Sequence, residues 1–172
     1  MKKIVLILIM IASLNSCERD DICPESTPTT PRLVIDFYDL QDQTQPKTVT
    51  NLLVQGIGND TAILYSAAES IAIPLRTDAS ETSFILHKDY EIDDNGTPED
   101  TSDDIVLGNE DVMTFQYDPE DVYVSKACGY KTIYKNVEAT TIDDGNNWIE
   151  LITTEDPLTV DNETTTHVQI FY

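Results

Sequence analysis

The chain has 172 residues and is strongly acidic, with 32 Asp and Glu against 10 Lys and Arg and a formal net charge of −22. This balance excludes a nucleic-acid-binding surface, because contacts to phosphates need clustered lysine and arginine. It also excludes the basic juxtamembrane cluster that binds anionic lipids. At this length we expect one domain that is large enough to bury a proper core.

The N-terminus has two lysines followed by an apolar run over residues 4–12. A spanning helix needs about 20 apolar residues, so this run is too short to cross a bilayer and is typical of a secretory signal peptide. It ends in Leu-Asn-Ser-Cys17, which resembles a bacterial lipobox, in which the cysteine receives a diacylglycerol and becomes the first residue after cleavage. We therefore predict a lipoprotein signal peptide over residues 1–16 and lipidation of Cys17.

The predicted lipid makes Cys17 a membrane anchor. One acyl chain binds a bilayer only marginally, whereas two or more hold stably, so a diacylated or triacylated, palmitate-bearing cysteine predicts durable attachment. The alternatives are an ordinary signal peptide that ends near a cysteine by chance, or an apolar segment that is retained.

The chain has three cysteines, Cys17, Cys23 and Cys128. Lipidation of Cys17 leaves an even number, and the compartment beyond the inner membrane permits disulfides. We predict a Cys23–Cys128 bridge, whose loop of about 100 residues is nominally worth ~4–5 kcal/mol in the chain-entropy model. Two free thiols or a metal site are the alternatives, although two distant cysteines without matching histidines are poor zinc ligands.

Residues 17–31 are acidic at first and then rich in proline and threonine, which predicts an extended, semi-rigid tether. A bridge from Cys23 would change this interpretation, because the proline-rich part would then lie along the domain and only residues 18–22 would be free. The remaining residues, 32–172, are predicted to form a single β-sandwich domain.

The domain shows period-two patterns from its start, where Leu33, Ile35 and Phe37 fall on one face. Similar runs rich in β-branched and aromatic residues follow, separated by turn-forming residues. They cover residues 51–57, 70–75, 82–88, 104–107, 112–117, 122–127, 130–137, 147–153 and 166–172. Eight to ten short strands predict an all-β, antiparallel β-sandwich, with a β-barrel as the alternative. The best helical candidate is residues 61–70.

Catalytic motifs are lacking in the sequence. It has no nucleophile elbow, no zinc-protease motif and no P-loop, and its two histidines, His87 and His167, are each predicted on a strand near exposed polar residues. Nothing singles out a catalytic pair among 32 carboxylates. We predict that the chain is not an enzyme and needs no cofactor.

An acidic turn at residues 91–96 partly imitates the start of a calcium loop, with Asp93 and Asn95 as weak candidate ligands for Ca²⁺. The twelfth position would be Ser102, where such a loop needs a bidentate glutamate. The alternative interpretation, which we favour, is a solvated acidic turn.

Two short motifs resemble envelope signals of Bacteroidota. Residues 60–62, Asp-Thr-Ala, resemble an O-glycosylation motif of exported proteins, with Thr61 as the acceptor and an ordinary turn as the alternative. Arg19, Asp20 and Asp21 resemble the signal that sends lipoproteins to the outer leaflet of the outer membrane, with arginine in place of the usual lysine.

More broadly, the Cys-x-x-Asp-Asp-Ile-Cys run at residues 17–23, the Thr-Pro-Thr-Thr-Pro-Arg-Leu run at 27–33 and Ala-Cys-Gly-Tyr at 127–130 resemble an uncharacterised family of Bacteroidota lipoproteins. The resemblance implies a lipid-anchored outer-membrane protein, on the cell surface or alternatively facing the periplasm. It implies a non-catalytic binding or structural role, with an envelope protein or a glycan as partner. A calcium- or glycan-binding module and an accessory subunit of an outer-membrane complex are the alternatives.

Overall fold

The structure is a computed structural model that describes residues 22–172. The predicted lipidation site Cys17 and the predicted export residues Arg19, Asp20 and Asp21 lie outside the described residues. The described part has nine β-strands and one short 3₁₀ turn at Thr101–Asp103. Within this range, no helix has the length and apolar character needed to cross a membrane.

The strands form two sheets, one of which is curled into a half-barrel, so the predicted all-β class is confirmed. The four-stranded sheet has, in spatial order, β4 (Ser70–Ile73), β1 (Leu33–Tyr38), β9 (Val168–Phe171) and β8 (Leu151–Thr154). The five-stranded sheet has β3 (Ala62–Ala68), β2 (Val49–Gly56), β5 (Glu81–Asp93), β6 (Ile105–Ser125) and β7 (Gly129–Thr141).

Strand β1 shows why the sequence forms this layer. Its alternate residues Leu33, Ile35 and Phe37 are fully buried, as the period-two pattern predicts. They pack into a core shared by both sheets, in which Leu52, Leu86, Met113, Phe115, Tyr134, Val168 and Ile170 are also completely buried.

One strand pair departs from the antiparallel expectation. Strand β9 runs parallel to β1, with Ile35 opposite Val168 and Phe37 opposite Ile170. A parallel pair needs a long crossover connection, and the whole chain between β1 and β9 supplies it. The C-terminal strand therefore lies inside its sheet, between β1 and β8.

Strand β6 is 21 residues long and replaces the three separate strands predicted within it. The first predicted break, at Gly108, is a β-bulge: Gly108 has φ +108°, and the register shifts opposite it between Lys88 and Glu91. A Cβ there would lie 2.5 Å from the carbonyl oxygen of Lys88. The glycine is thus needed for close backbone approach within a continuous strand.

The second predicted break, at Pro119, is also part of β6. Pro119 pairs with Tyr134, next to a register shift between Gln116 and Asp118. The N–H and the carbonyl of Tyr134 both bond to Val160 on the other side of β7. Pro119 is therefore not required to donate a ladder hydrogen bond, which is the one setting in which a sheet tolerates proline.

The helical prediction for residues 61–70 is wrong. Residues 62–68 form edge strand β3, paired with β2 through Val54 opposite Ile63 and Leu52 opposite Tyr65. Tertiary pairing has overridden a weak helical pattern. After Glu69 the chain enters β4 in the other sheet, and the N–H of Phe37 donates to the Glu69 carbonyl oxygen at 2.9 Å. Glu69 thus forms a corner where the two sheets are joined.

The described part of the predicted tether, residues 22–31, contacts the domain. Cys23 is bonded to Cys128, and the N–H of Thr132 on β7 donates to the Thr30 hydroxyl at 3.0 Å. Pro31 is buried just before β1 begins. We call residues 22–31 the N-terminal strap.

Candidate functional site

The long hairpin formed by β6 and β7 carries the predicted disulfide. Cys23 and Cys128 are joined, with their Cα atoms 4.8 Å apart. Cys128 lies in the turn of the hairpin, where its N–H donates to the Ser125 hydroxyl at 3.1 Å. Gly129 follows with φ +71°, a conformation that favours glycine, and the register shifts beside it between Tyr123 and Ser125.

Next to the disulfide, Tyr123 and Tyr130 face each other across the hairpin. Their ring centroids are 5.4 Å apart in an edge-to-face arrangement, and the residues are 58% and 68% exposed. Tyr130 lies two residues before Thr132 and four before the fully buried Tyr134, so it shares their face of the sheet. The tyrosine pair therefore continues the inner face of the sheet toward the hairpin turn, where it is exposed.

An apolar cleft opens where β3 and β4 diverge from the corner at Glu69. Its volume is about 730 Å³. The lining side chains come from both sheets and are mainly apolar: Val54, Ile57, Ile63, Ile73, Pro74, Leu75 and Phe84. Ile63 shares the inner face with its partner Val54, yet it remains 55% exposed, whereas Val54 is buried. The four-stranded sheet therefore leaves this part of the inner face uncovered.

Buried hydroxyl groups fix one wall of the cleft. The Tyr134 hydroxyl donates to the Leu75 carbonyl oxygen at 2.9 Å, and the Tyr117 hydroxyl donates to that of Arg76 at 2.9 Å. The N–H of Arg76 donates to the Thr82 hydroxyl at 3.0 Å. Burial raises the pKa of Tyr134 to about 12, so this hydroxyl stays protonated and able to donate at neutral pH.

The rim of the cleft is polar. Among its lining residues only Arg76 and Glu81 have acidic or basic side chains, and Arg76 forms a two-pronged pair with Asp78, at 3.0 Å for both bonds. That pair raises the pKa of Arg76 and lowers the pKa of Asp78. The cleft is thus suited to an apolar group and offers no pairing of a nucleophile with a base.

Thr61, the predicted glycosylation site, also lies at this rim. It is exposed, immediately before β3, and its hydroxyl donates to the Asn59 side-chain oxygen at 2.9 Å. A glycan on Thr61 would stand at the mouth of the cleft, and its attachment stays a prediction.

The candidate calcium residues lie in the turn between β5 and β6. The Asp93 carboxylate accepts from the N–H of Asn95 at 3.0 Å, and the Asn95 amide donates to Asp103 at 3.3 Å. The Thr97 hydroxyl donates to Asp103 as well. Across residues 22–172, no group of three or more His, Cys, Asp and Glu side chains is arranged to hold a metal ion. The carboxylates of Asp93 and Asp103 instead accept hydrogen bonds from groups within the turn.

Both histidines are buried. His87 lies on β5, as expected, with its Nδ1 3.7 Å from the exposed carboxylate of Glu110, whereas the strand position expected for His167 is wrong. His87 bonds through Nε2 to the Leu107 carbonyl oxygen at 3.0 Å. His167 precedes β9; its Nδ1 accepts from the N–H of Val34 at 2.9 Å, and its own N–H donates to the Val34 carbonyl. Burial lowers the pKa of His167, opposed by nearby Asp161 and Glu163. Each histidine ring therefore forms a hydrogen bond with the backbone of another segment of the chain.

A buried carboxylate fixes the loop between β7 and β8. Asp111 pairs with Leu86 in the sheet and accepts from the N–H of Ile149 at 2.8 Å. Burial raises the pKa of Asp111, and the bond from Ile149 opposes this rise. The Trp148 ring donates to the Leu86 carbonyl oxygen at 3.0 Å. These contacts hold the loop over the interior of the sandwich.

Residues 51–172, from β2 to the C-terminus, match the model of a family of unknown function, DUF6452. The chain belongs to this family. The DUF6452 match includes the cleft, both long hairpins and Cys128, and it begins after β1 and Cys23. Comparisons with curated proteins and with solved structures give no match.

Sequence reasoning did not find the cleft. Its walls contain Val54, Ile73 and Phe84, which are ordinary strand residues whose patterns also fit the closed core. The lining residues come from the end of β2, the start of β3, the end of β4 with the segment after it, and the start of β5. How these distant segments meet has no local signal in the sequence.

Proposed function

We propose that this DUF6452 protein is a lipid-anchored cell-envelope protein, attached through Cys17, with a non-catalytic binding role. The observation that carries the proposal is the use of the cysteines. The disulfide takes Cys23 and Cys128, so of three cysteines Cys17 is the one left over. It stands at the end of a short apolar run, in the position that a lipobox cysteine occupies.

The disulfide also determines how far the domain extends from its anchor. Only five residues lie between Cys17 and Cys23, and the two cysteines can be at most about 20 Å apart when the chain is extended. Because the strap is bonded to β7 at Thr30 as well, residues 24–31 do not act as a stalk. The lipid would therefore hold the sandwich close to the membrane.

The proposed location is the outer membrane of a Bacteroidota bacterium, on the cell surface. This rests on Arg19, Asp20 and Asp21 directly after the anchor cysteine; a periplasm-facing protein is the alternative. Protease treatment of intact cells separates the two, because a surface protein is digested without lysis and a periplasmic one is not.

The apolar cleft between the sheets supports a binding role. It presents apolar side chains from both sheets, and of its lining residues only Arg76 and Glu81 have acidic or basic side chains. Such a site fits the apolar part of a ligand or of an envelope partner better than a bare ion. The calcium- and glycan-binding alternatives gain no comparable support from Asp93 and Asn95. A carboxylate oxygen of Asp93 accepts from the N–H of Asn95, and the side-chain amide of Asn95 donates to Asp103.

The anchor is tested by growing cells with a labelled fatty acid. Label is expected on the wild-type protein and none on a Cys17→Ala variant. Absence of label on the wild type, or label that persists in the variant, would contradict the anchor.

The cleft is tested with the neutral apolar dye Nile red on the purified full protein. An Ile63→Asn variant places an amide on the inner wall and should reduce dye fluorescence. Ile105→Asn is the matched control, because Ile105 is exposed to a similar extent, 53% against 55%, but lies on β6 and does not line the cleft. Equal fluorescence from wild type and the Ile63 variant, with both folded by circular dichroism, would exclude the cleft as the binding site.

A further inference from the structure

The tip of the β6–β7 hairpin has a surface composition that suits an interface between water and lipid. Tyr123 and Tyr130 form an exposed pair beside the disulfide. Tyrosine has an apolar ring and a polar hydroxyl, and it concentrates at the headgroup level of membranes for this reason. Burial within the fold does not explain the pair, because both residues are more than half exposed.

The covalent path brings this tip close to the proposed anchor. Cys128 in the hairpin turn is bonded to Cys23, which follows Cys17 by six residues. The other long hairpin, between β5 and β6, lies at the far end of β6, which has 21 residues and would span about 65 Å if straight. Of the two hairpins, the one with the tyrosine pair is therefore the one near the lipid.

The distribution of charge agrees with this placement. Residues 122–137 contain three lysines and no acidic residue, whereas residues 89–111 contain ten acidic residues and no lysine or arginine. The nearest acids before the tip are bonded within the hairpin: Glu120 to Lys135 at 2.5 Å and Asp121 to Thr132 at 2.8 Å. A membrane surface that carries anionic lipid therefore repels the tip of the β6–β7 hairpin less than it repels the acidic β5–β6 hairpin.

We propose that the tip of the β6–β7 hairpin contacts the lipid bilayer, with Tyr123 and Tyr130 at headgroup level. The lipid on Cys17 and this tip would form two points of attachment and fix the orientation of the domain, with the acidic β5–β6 hairpin directed away from the membrane. The inference rests on the lipid anchor proposed above. The contact would add a fixed orientation of the domain to that anchor, because the acyl chains already supply the affinity for the membrane.

The test uses the mature lipidated protein in vesicles of phosphatidylethanolamine and phosphatidylglycerol that contain a phospholipid with a photoreactive headgroup. After irradiation, mass spectrometry locates the crosslinks and also measures the intact mass. Crosslinks are expected in residues 122–131 and at background level in residues 92–107. A Tyr123→Ser/Tyr130→Ser variant should lose the crosslinks at the tip, while the control Ile105→Ser/Val106→Ser, on the other hairpin, should keep them.

The outcomes separate this inference from the proposed function. If the intact mass shows lipid on Cys17 but both hairpins crosslink equally, or neither does, the contact is wrong and the anchor stands. If the mass shows an unmodified Cys17, the anchor and the contact both fail. Unchanged crosslinking of the tip in the double tyrosine variant, with its fold intact by circular dichroism, would also overturn the contact.

Discussion

The two long hairpins of the five-stranded sheet have exposed apolar side chains in common and differ in almost everything else. The β5–β6 hairpin pairs Ile92 with Val106 at its exposed end, and its turn is held by short-range bonds such as that from Asn95 to Asp93. The β6–β7 hairpin pairs two tyrosines, is bonded to the strap through Cys128, and has no acidic residue of its own over residues 122–137.

This comparison shows that exposed apolar residues alone do not identify a contact surface. Nine of the ten carboxylates over residues 89–111, all except the buried Asp111, keep the first hairpin hydrated and repel anionic surfaces. The second hairpin combines exposed rings with a local excess of lysine and a covalent link toward the predicted anchor. Charge and chain connectivity thus give the two ends of one sheet different roles.

The largest expected effect comes from removing the disulfide. A Cys23→Ser/Cys128→Ser variant should lose about 2–5 kcal/mol of unfolding free energy, because the bridge closes a loop of 105 residues in the unfolded chain. Urea unfolding measures the loss, and adding reductant should destabilise the wild type but not the variant. A change of less than about 1 kcal/mol would show that the strap does not constrain the chain.

Glycines at the two hairpins provide the next comparison. Gly108→Ala should cost about 3 kcal/mol, because a Cβ would lie 2.5 Å from the Lys88 carbonyl oxygen at φ +108°. Gly129→Ala at φ +71° has no atom within 4 Å of the added Cβ and should cost about 1 kcal/mol. Thermal unfolding ranks the two variants, and equal losses would contradict the bulge at Gly108.

Acidification is expected to weaken the end of the four-stranded sheet where His167 is buried. Burial holds the pKa of His167 below its ordinary value, so the unfolded chain takes up a proton first as the pH falls below about 6.5. The contribution of His167 to the unfolding free energy is therefore complete above that pH and is lost as the pH falls toward its lowered pKa. His167→Asn keeps an acceptor for the N–H of Val34. It should flatten the pH dependence of the unfolding free energy between about pH 6.5 and 5. An unchanged slope would contradict this assignment.

The smallest expected effect is that of the tyrosine pair on folding. Tyr123→Ser in the absence of membranes should lower stability by less than about 1 kcal/mol, since an exposed cross-strand pair contributes little. Differential scanning calorimetry is sufficient to detect a larger loss. Such a loss would mean that the pair supports the hairpin itself, which would weaken the comparison of the two ends.

The sequence predicted the parts of the fold that depend on local patterns. The alternation in β1, the all-β class and the Cys23–Cys128 pairing followed from period two and from the number of cysteines. The continuity of β6 did not, because Gly108 and Pro119 resemble turn residues. Only the partner strands show that Gly108 lies in a bulge and that Pro119 lies next to one. The corner at Glu69, the parallel β1–β9 pair and the cleft depend on how distant segments meet, which no single window of sequence records.

The intact mass of the protein extracted from membranes, measured without reduction after treatment with an alkylating agent, tests the account most directly. We predict a chain that begins at Cys17, carries two or three acyl groups and has no alkylated thiol. A chain without acyl groups, or one with alkylated Cys23 and Cys128, would contradict a domain that is held close to the membrane by a lipid and a disulfide.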